Sequence, residues 1–271
     1  MKLTILANPN EEFKLLVAHA LVKGCVRHGD CAEIVDIKRG IDFSKTIHAE
    51  SWSAICCWGW RLGETFRNRG HNVLIMERAY LADRFSWYSL GWNGLNGRAI
   101  FPCVDDGGER WRRHFDYLLQ PWRTNLGGYA LLLGQVPVDQ AVNMINFEGW
   151  ACAAASELIR LGHDARFRPH PLAPSVKTQV PSIAGTLEEA LTGASFAVTW
   201  NSNAGVDAVI AGTPTVTMDE GAMAWDVTSH DLDLPIITPN RTAWAHRMAY
   251  TQWRTEEIER GEAWEHLRKL V

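Results

Sequence analysis

Long apolar runs are missing from these 271 residues: none reaches the roughly 18 that a membrane-spanning helix needs, so no such helix is expected. The opening Met1-Lys2-Leu3-Thr4-Ile5-Leu6-Ala7-Asn8-Pro9 has too short an apolar part for a secretory leader and reads as a first strand. The six cysteines, Cys25, Cys31, Cys56, Cys57, Cys103 and Cys152, make no C-x-x-C pair and no zinc spacing. They read as reduced thiols of a cytoplasmic protein, not as a disulfide framework. G-x-G-x-x-G and G-x-x-x-x-G-K-[ST] are both absent, which removes support for a dinucleotide oxidoreductase or a P-loop enzyme. G-x-S-x-G is absent too, which weakens a serine hydrolase.

What is present is ordinary in bulk and uneven in detail. Charged residues make up 21% and hydrophobic ones 46%, as in a globular chain with one large core or two modest ones. Residues 1–125 hold 17 Lys and Arg against 14 Asp and Glu, whereas residues 126–271 hold 10 against 17. The basic first half suits an anionic partner, although such a difference is also common between two domains. Thirteen tryptophans is a high number. Their flat faces suit stacking on sugars or bases, but most are expected in cores and domain interfaces.

The first half alternates strands and helices: strands at Leu3–Ala7, Ala32–Ile37, Ala54–Cys57 and Asn72–Met76, helices at Glu11–Arg27 and Leu62–Arg69. That alternation predicts a parallel sheet covered on both faces. Phe85 to Pro102, rich in Gly, Asn and aromatics, reads as a structured loop, and Glu109–Leu119 as a helix. Pro121 to Gly128 is the candidate linker. A second series follows, with strands Tyr129–Leu133 and Ala165–Arg168 around a helix at Phe147–Leu161. Thr186 and Glu189 stand in capping-box spacing, and Thr242 to Leu270 reads as amphipathic helix. The expected division is residues 1–124, residues 125–240 and a C-terminal helical segment, residues 241–271.

The most informative stretch is Ala197 to Val216, a strand, a small polar turn, a short helix, a glycine stop and a second strand. Ser202, Asn203, Ala204 and Gly205 fall where that helix begins, so backbone N–H groups there are expected to hold phosphate. Arg168-Pro169-His170-Pro171 ends a strand at the same sheet edge, where His170 as a cation or donor suits a leaving phosphate. Asp105-Asp106-Gly107-Gly108 offers two adjacent carboxylates as a candidate base, or is a solvated turn. Asp231-Leu232-Asp233 spells D-x-D in a polar loop without a ligand cluster, so no metal is expected. Trp58-Gly59-Trp60-Arg61 follows a strand at the ligand edge and reads as an aromatic wall with a guanidinium, against core packing of at least one ring. Glu77-Arg78 follows the next strand at that edge.

Together, Gln135 after a strand, the Arg168–Pro171 turn and Asn201-Ser202-Asn203-Ala204-Gly205 followed by Gly212-Thr213-Pro214 resemble the donor domain of GT-B glycosyltransferases. The similarity is greatest to the capsular-polysaccharide and bacterial sialyltransferase-like groups. There an acidic-acidic-Gly motif supplies the general base and a His-Pro motif contacts the donor nucleotide, and Asp105-Asp106-Gly107 and His170-Pro171 match both in order. The resemblance covers roughly residues 129–228, and the first half by architecture alone. Trp87–Arg98 and Tyr250-Thr251-Gln252-Trp253 are similar to phage-encoded relatives.

The resemblance implies an α/β chain of two Rossmann-like domains facing a cleft, with the C-terminal helix crossing back. It implies a UDP- or CMP-sugar donor held by Gln135, Arg168, His170, Asn201, Ser202, Asn203 and Gly205. Asp106, or Asp105, is then the base, and His170 assists the leaving group. Trp58, Trp60, Arg61 and Trp87 take the acceptor, with no metal and no prosthetic group. The acceptor expected is a hydroxymethylated pyrimidine in phage DNA, which places the enzyme in the host cytoplasm. A surface glycan acceptor, a nucleotide-sugar 2-epimerase and a non-catalytic nucleotide-binding protein remain as alternatives.

Overall fold

Leu3-Thr4-Ile5-Leu6-Ala7 is apolar on both faces, the pattern of a strand covered from both sides, and it forms the buried β1 (Lys2–Ala7). The computed structural model describes residues 1–37, 54–125, 127–144 and 146–271. The described chain divides into two compact units: residues 1–107 with 247–271, and residues 108–246. The segment Pro121 to Gly128, of which Leu126 lies outside the described residues, belongs to the second unit.

The first unit is built on β1, α1 (Glu12–Arg27), β2 (Cys31–Asp36), β3 (Ala54–Trp58), α2 (Trp60–Arg67), β4 (Val73–Arg78) and β5 (Trp87–Trp92). β1 pairs in parallel with β2 and β3, and β3 with β4, while β5 runs antiparallel to β4. α1 buries Val17, Ala18, Leu21 and Cys25, an apolar stripe at helical spacing that packs on the sheet.

Two expectations are corrected here. Trp87–Trp92, read as part of a loop, is a strand. The asparagines after it serve the turn that follows: Asn93 and Asn96 take positive φ, and Trp92 pairs back with Ile100. Thr242 to Leu270 is not one helix. It divides into α7 (Thr242–Met248), β10 (Gln252–Arg254), α8 (Thr255–Glu259) and α9 (Glu262–Leu267). β10 pairs antiparallel with β5, completing a six-stranded sheet in the order β10-β5-β4-β3-β1-β2. The physical reason lies in Gln252. Its buried amide oxygen accepts the N–H groups of Tyr80 and Leu81, at 3.0 and 2.9 Å, and its Nε2 donates to the Leu81 carbonyl.

The second unit runs α3 (Glu109–His114), β6 (Tyr129–Leu133), α4 (Phe147–Arg160), β7 (Ala165–Arg168), α5 (Leu187–Gly193), β8 (Ala194–Thr199), α6 (Ala204–Ile210) and β9 (Thr215–Thr217), and enters α7. Thr186 and Glu189 form the expected capping box at the start of α5. Residues 120–123 strap the end of α6: Gln120 N–H donates to Ile210 O at 2.8 Å and Arg123 N–H to Gly212 O at 2.7 Å. The buried Arg241 guanidinium donates to Val209 O and Gln120 O and lies 3.8 Å from the Trp122 ring centre. Gly212, at φ +78°, is obligatory, because a Cβ there would stand 2.0 Å from the Pro121 carbonyl oxygen.

Candidate functional site

The second sheet is wholly parallel in the order β7-β6-β8-β9, so all four strands end at one edge. The chain leaves β6 for β7 on one side and reaches β8 on the other. The strand order therefore switches between β6 and β8, the place where open α/β sheets bind ligands. Gln135 follows β6 and Asn201 follows β8, and the two side chains interlock across this point. Gln135 Nε2 donates to Asn201 Oδ1 at 2.9 Å, and the Asn201 N–H donates to Gln135 Oε1 at 3.0 Å. Asn201 Nδ2 donates onward to the Ala141 carbonyl and, at 2.6 Å, to Asp219 Oδ2 beyond β9. Both amide side chains are buried, at 6% and 2% exposure, so each bond replaces a lost water. Gly134 lets this edge close up: a Cβ would lie 3.0 Å from Arg168 O and from His170 N.

At the end of β7, Arg168 donates through Nη2 to Gly185 O at 3.0 Å, and its Nε is buried without a hydrogen-bond partner. His170 Nδ1 accepts the Leu172 N–H at 3.1 Å, so the neutral ring carries its proton on Nε2. Partial burial pushes its pKa below the usual 6.5. The Asp139 carboxylate opposes this and the Arg168 charge adds to it. His170 is therefore a neutral donor at pH 7, not a cation.

Ser202, Asn203 and Gly205 lie at the start of α6, as read from the sequence. The backbone N–H groups there are not bare, however. Ser202 N–H donates to Thr199 Oγ1, Ala204 N–H to Ser202 Oγ and Gly205 N–H to Ser202 O. A phosphate at this turn would exchange these bonds and not meet open donors. Asp219 was missed in the sequence. Its signal was its place directly after a strand at the edge already marked by three other motifs.

In the first unit, Asp105 is exposed and accepts the Gly107 N–H at 3.3 Å, a local turn. Asp106 is half-buried, and its Oδ2 accepts the Tyr250 hydroxyl at 2.9 Å. Trp58, the last residue of β3, meets the edge of the Phe13 ring at 5.3 Å. Trp60 packs against the cluster of Leu6, Phe66 and Ile75, and Arg61 is exposed. Trp87 offers no open face: it is 2% exposed and covered by the Arg254 guanidinium at 4.8 Å. Of the D-x-D residues, Asp233 pairs with Arg160 at 2.6 Å and Asp231 accepts the Asp233 N–H. No group of three or more His, Cys, Asp or Glu suited to a metal ion occurs among the described residues.

No family model matches the chain, and no curated protein sequence does. Solved structures do. The chain aligns with KpsC of Thermosulfurimonas dismutans, described as a β-Kdo 2,7 transferase, over 97% of its length and 99% of that chain, at 14% identity and TM-score 0.59. A second KpsC chain from that organism, a β-Kdo 2,4 transferase, aligns over 93% and 92%, also at 14% identity and TM-score 0.59. A UDP-GlcNAc 2-epimerase from Methanocaldococcus jannaschii spans 100% and 99% at 13% identity, but its TM-score of 0.35 bears no weight. At such identities the likeness is one of fold: α/β, with two Rossmann-like units of the GT-B kind, as the sequence led one to expect.

Proposed function

We propose that this chain is a glycosyltransferase that takes a UDP- or CMP-linked sugar and moves the sugar to an acceptor hydroxyl without a metal ion. The observation that carries the reading is the edge of the second sheet, where the Gln135–Asn201–Asp219 chain lies at the switch point beside Arg168 and His170. A rigid, buried polar chain next to an incompletely bonded guanidinium and a neutral imidazole donor is a floor and wall for an anionic ligand. The two solved chains of similar fold are both named as Kdo transferases, which supports sugar transfer as the chemistry.

In this reading Arg168 supplies the charge and His170 Nε2–H the hydrogen bond that stabilise a departing phosphate. Ser202, Asn203 and Gly205 contribute the turn against which the phosphate rests, and Gln135 and Asn201 fix that turn. Asp106, its carboxylate oriented by Tyr250, deprotonates the acceptor hydroxyl. These donors take the electrostatic role a metal ion plays elsewhere. We place the reaction in the cytoplasm, where the exposed Cys31 and Cys103 stay reduced.

The acceptor is better read as a glycan than as hydroxymethylated DNA. Duplex binding needs a run of cations available to phosphates. At the acceptor edge Lys14 is paired with Glu11 at 2.8 Å, and Glu77 and Asp83 stand among the basic residues. Exposed Arg61 and half-buried Trp58 are what support the DNA reading. A thermal-shift screen with UDP-, CMP-, GDP- and dTDP-sugars tests the donor site, since a ligand of the folded state raises the midpoint by mass action. A rise for one nucleotide class that is lost in His170→Ala is expected. No rise with any of the four, or a rise unchanged in His170→Ala, would refute the donor assignment. Conversion of the sugar without an acceptor would favour an epimerase instead.

A further inference from the structure

The first sheet has a switch point of its own. β1 lies between β2 and β3, so the chain leaves β1 on one side and returns on the other, and the ends of β1 and β3 stand where open α/β sheets take ligands. Trp58 closes β3 there, and the first turn of α1, the helix after β1, brings Phe13 and Lys14. β4 ends at the same edge with Arg78, which lies opposite Tyr88 of the antiparallel β5.

These residues converge on one guanidinium. The Arg78 Cζ lies 4.2 Å from the Phe13 ring centre, 5.0 Å from Phe85, 5.7 Å from Tyr88 and 5.9 Å from Trp58. Lys14 Nζ lies 5.2 Å from the Trp58 ring and 5.8 Å from Phe13. The two cations differ in one respect. Lys14 is paired with Glu11, whereas among the described residues the Arg78 guanidinium has no carboxylate at ion-pair distance and donates through Nη1 to the Phe85 carbonyl at 3.4 Å. The nearby Asp83 carboxylate accepts the Ser86 hydroxyl at 2.5 Å and the Phe85 N–H at 3.0 Å, and the Arg78 charge reaches it only as a weaker, longer-range attraction. Aromatic faces compensate a cation only in part, and beyond the long Nη1 bond to Phe85 the guanidinium keeps in-plane N–H donors for a carboxylate or phosphate. The rings are not there to be buried: Phe85 is 75% exposed and Phe13 37%. A planar cation without a carboxylate at ion-pair distance among the described residues, beside the exposed Phe85 and the partly exposed Phe13, fits a ligand that joins an anion to a ring.

We propose that Arg78 and its aromatic surround form a subsite for an acidic sugar. The carboxylate or phosphate sits on the guanidinium and the sugar ring lies against Phe13 and Phe85. Calling that sugar the acceptor rests on the transferase reading above; the subsite itself does not.

The test uses the intact protein without nucleotide. Affinities for glucuronate, glucose 6-phosphate, glucose and a duplex carrying 5-hydroxymethylcytosine are measured by calorimetry or ligand-observed NMR. At least one of the two anions should bind about tenfold or more tightly than glucose, the scale of a charge-assisted bond, and which one does so identifies the anion. Arg78→Gln should remove that preference and leave glucose unchanged. Arg78→Lys, which keeps the charge and loses the fork, should fall between. Phe85→Ala, at an exposed ring, should weaken every sugar about threefold and keeps the test decisive if Arg78→Gln melts early. Equal binding of glucose and both anions, or anion affinity indifferent to both Arg78 variants, would overturn the proposal. Tighter binding of the duplex than of either anion, with a steep salt dependence, would overturn it in favour of nucleic acid. Acidic sugars that bind while no nucleotide sugar does would leave the subsite standing and remove the transferase.

Discussion

Asn201 is the joint of the polar chain, and Asn201→Ala measures what that chain is worth. The substitution removes three side-chain bonds: to Gln135 Nε2, to Ala141 O and to Asp219 Oδ2. Gln135 is buried and loses its acceptor outright, a cost of about 1–3 kcal/mol for one unsatisfied group. Asp219 and Ala141 are half-exposed, so water recovers much of their loss. A total near 3 kcal/mol is therefore expected, or about 10 °C in melting temperature for a unit of this size. Urea unfolding followed by tryptophan fluorescence reads the stability, and calorimetry reads nucleotide-sugar affinity, which should fall at least tenfold. Asn201→Asp should be worse, because it sets a second carboxylate in place of a donor lying 2.6 Å from Asp219. Its deficit should shrink as the pH is lowered toward 4. A loss below about 0.5 kcal/mol in Asn201→Ala with donor affinity intact would refute the structural weight given to the chain.

Three further outcomes are expected. Gly212→Ala should cost about 3 kcal/mol and speed amide exchange at Gln120 and Arg123, because it adds a clash with Pro121 O to the strain of positive φ; Gly29→Ala, at φ +75° with open space around it, should cost only about 1 kcal/mol. Asp30→Asn should cost about 3 kcal/mol near neutral pH. Burial opposes the charge of Asp30, but the Met1 ammonium, the Trp264 indole and Arg268 outweigh it and hold the carboxyl below its usual 3.8. That contribution is present above about pH 4 and lost as the pH falls through the lower folded-state value, so Asp30→Asn should flatten the acid limb of the stability curve. For His170, whose folded-state pKa lies below 6.5, the unfolded chain takes up the proton first. Stability should fall as the pH drops below about 6.5, and His170→Gln should remove that slope.

The second unit of the fold was legible because its signals are local. A strand, a small polar turn, a helix and a Gly212 stop are all readable within twenty residues, and the Thr186–Glu189 box needs only four. Gln135 and His170 were legible as residues directly after strands. The pairing of Gln135 with Asn201 was not, since it depends on which strands become neighbours. β5 was hidden because Gly91 and Asn93 look like loop residues, although Gly91 is where a Cβ would strike the Phe101 ring. β10 was hidden because three residues carry no period, and its reason, the bonds from Gln252 to Tyr80 and Leu81, spans some 170 positions. Tryptophan position misled most. Trp87 reads as a stacking platform in sequence but is covered by Arg254, whereas Arg78 was marked in the sequence by its place after a strand, and the four aromatic rings around it were not legible because they come from separate elements.

The central claim is that a sugar passes from a nucleotide to an acceptor hydroxyl with Asp106 as the base. It is tested most directly by transfer of a labelled sugar from the nucleotide donor that binds, offered to a panel of acidic and neutral glycans and to hydroxymethylated duplexes, with native protein and Asp106→Asn. Transfer to an acidic glycan is expected, lowered about 100-fold or more in Asp106→Asn while donor affinity stays within about twofold, since a base acts on the acceptor and not on the nucleotide. Full activity in Asp106→Asn, or no transfer to any acceptor from a donor that binds, would contradict it.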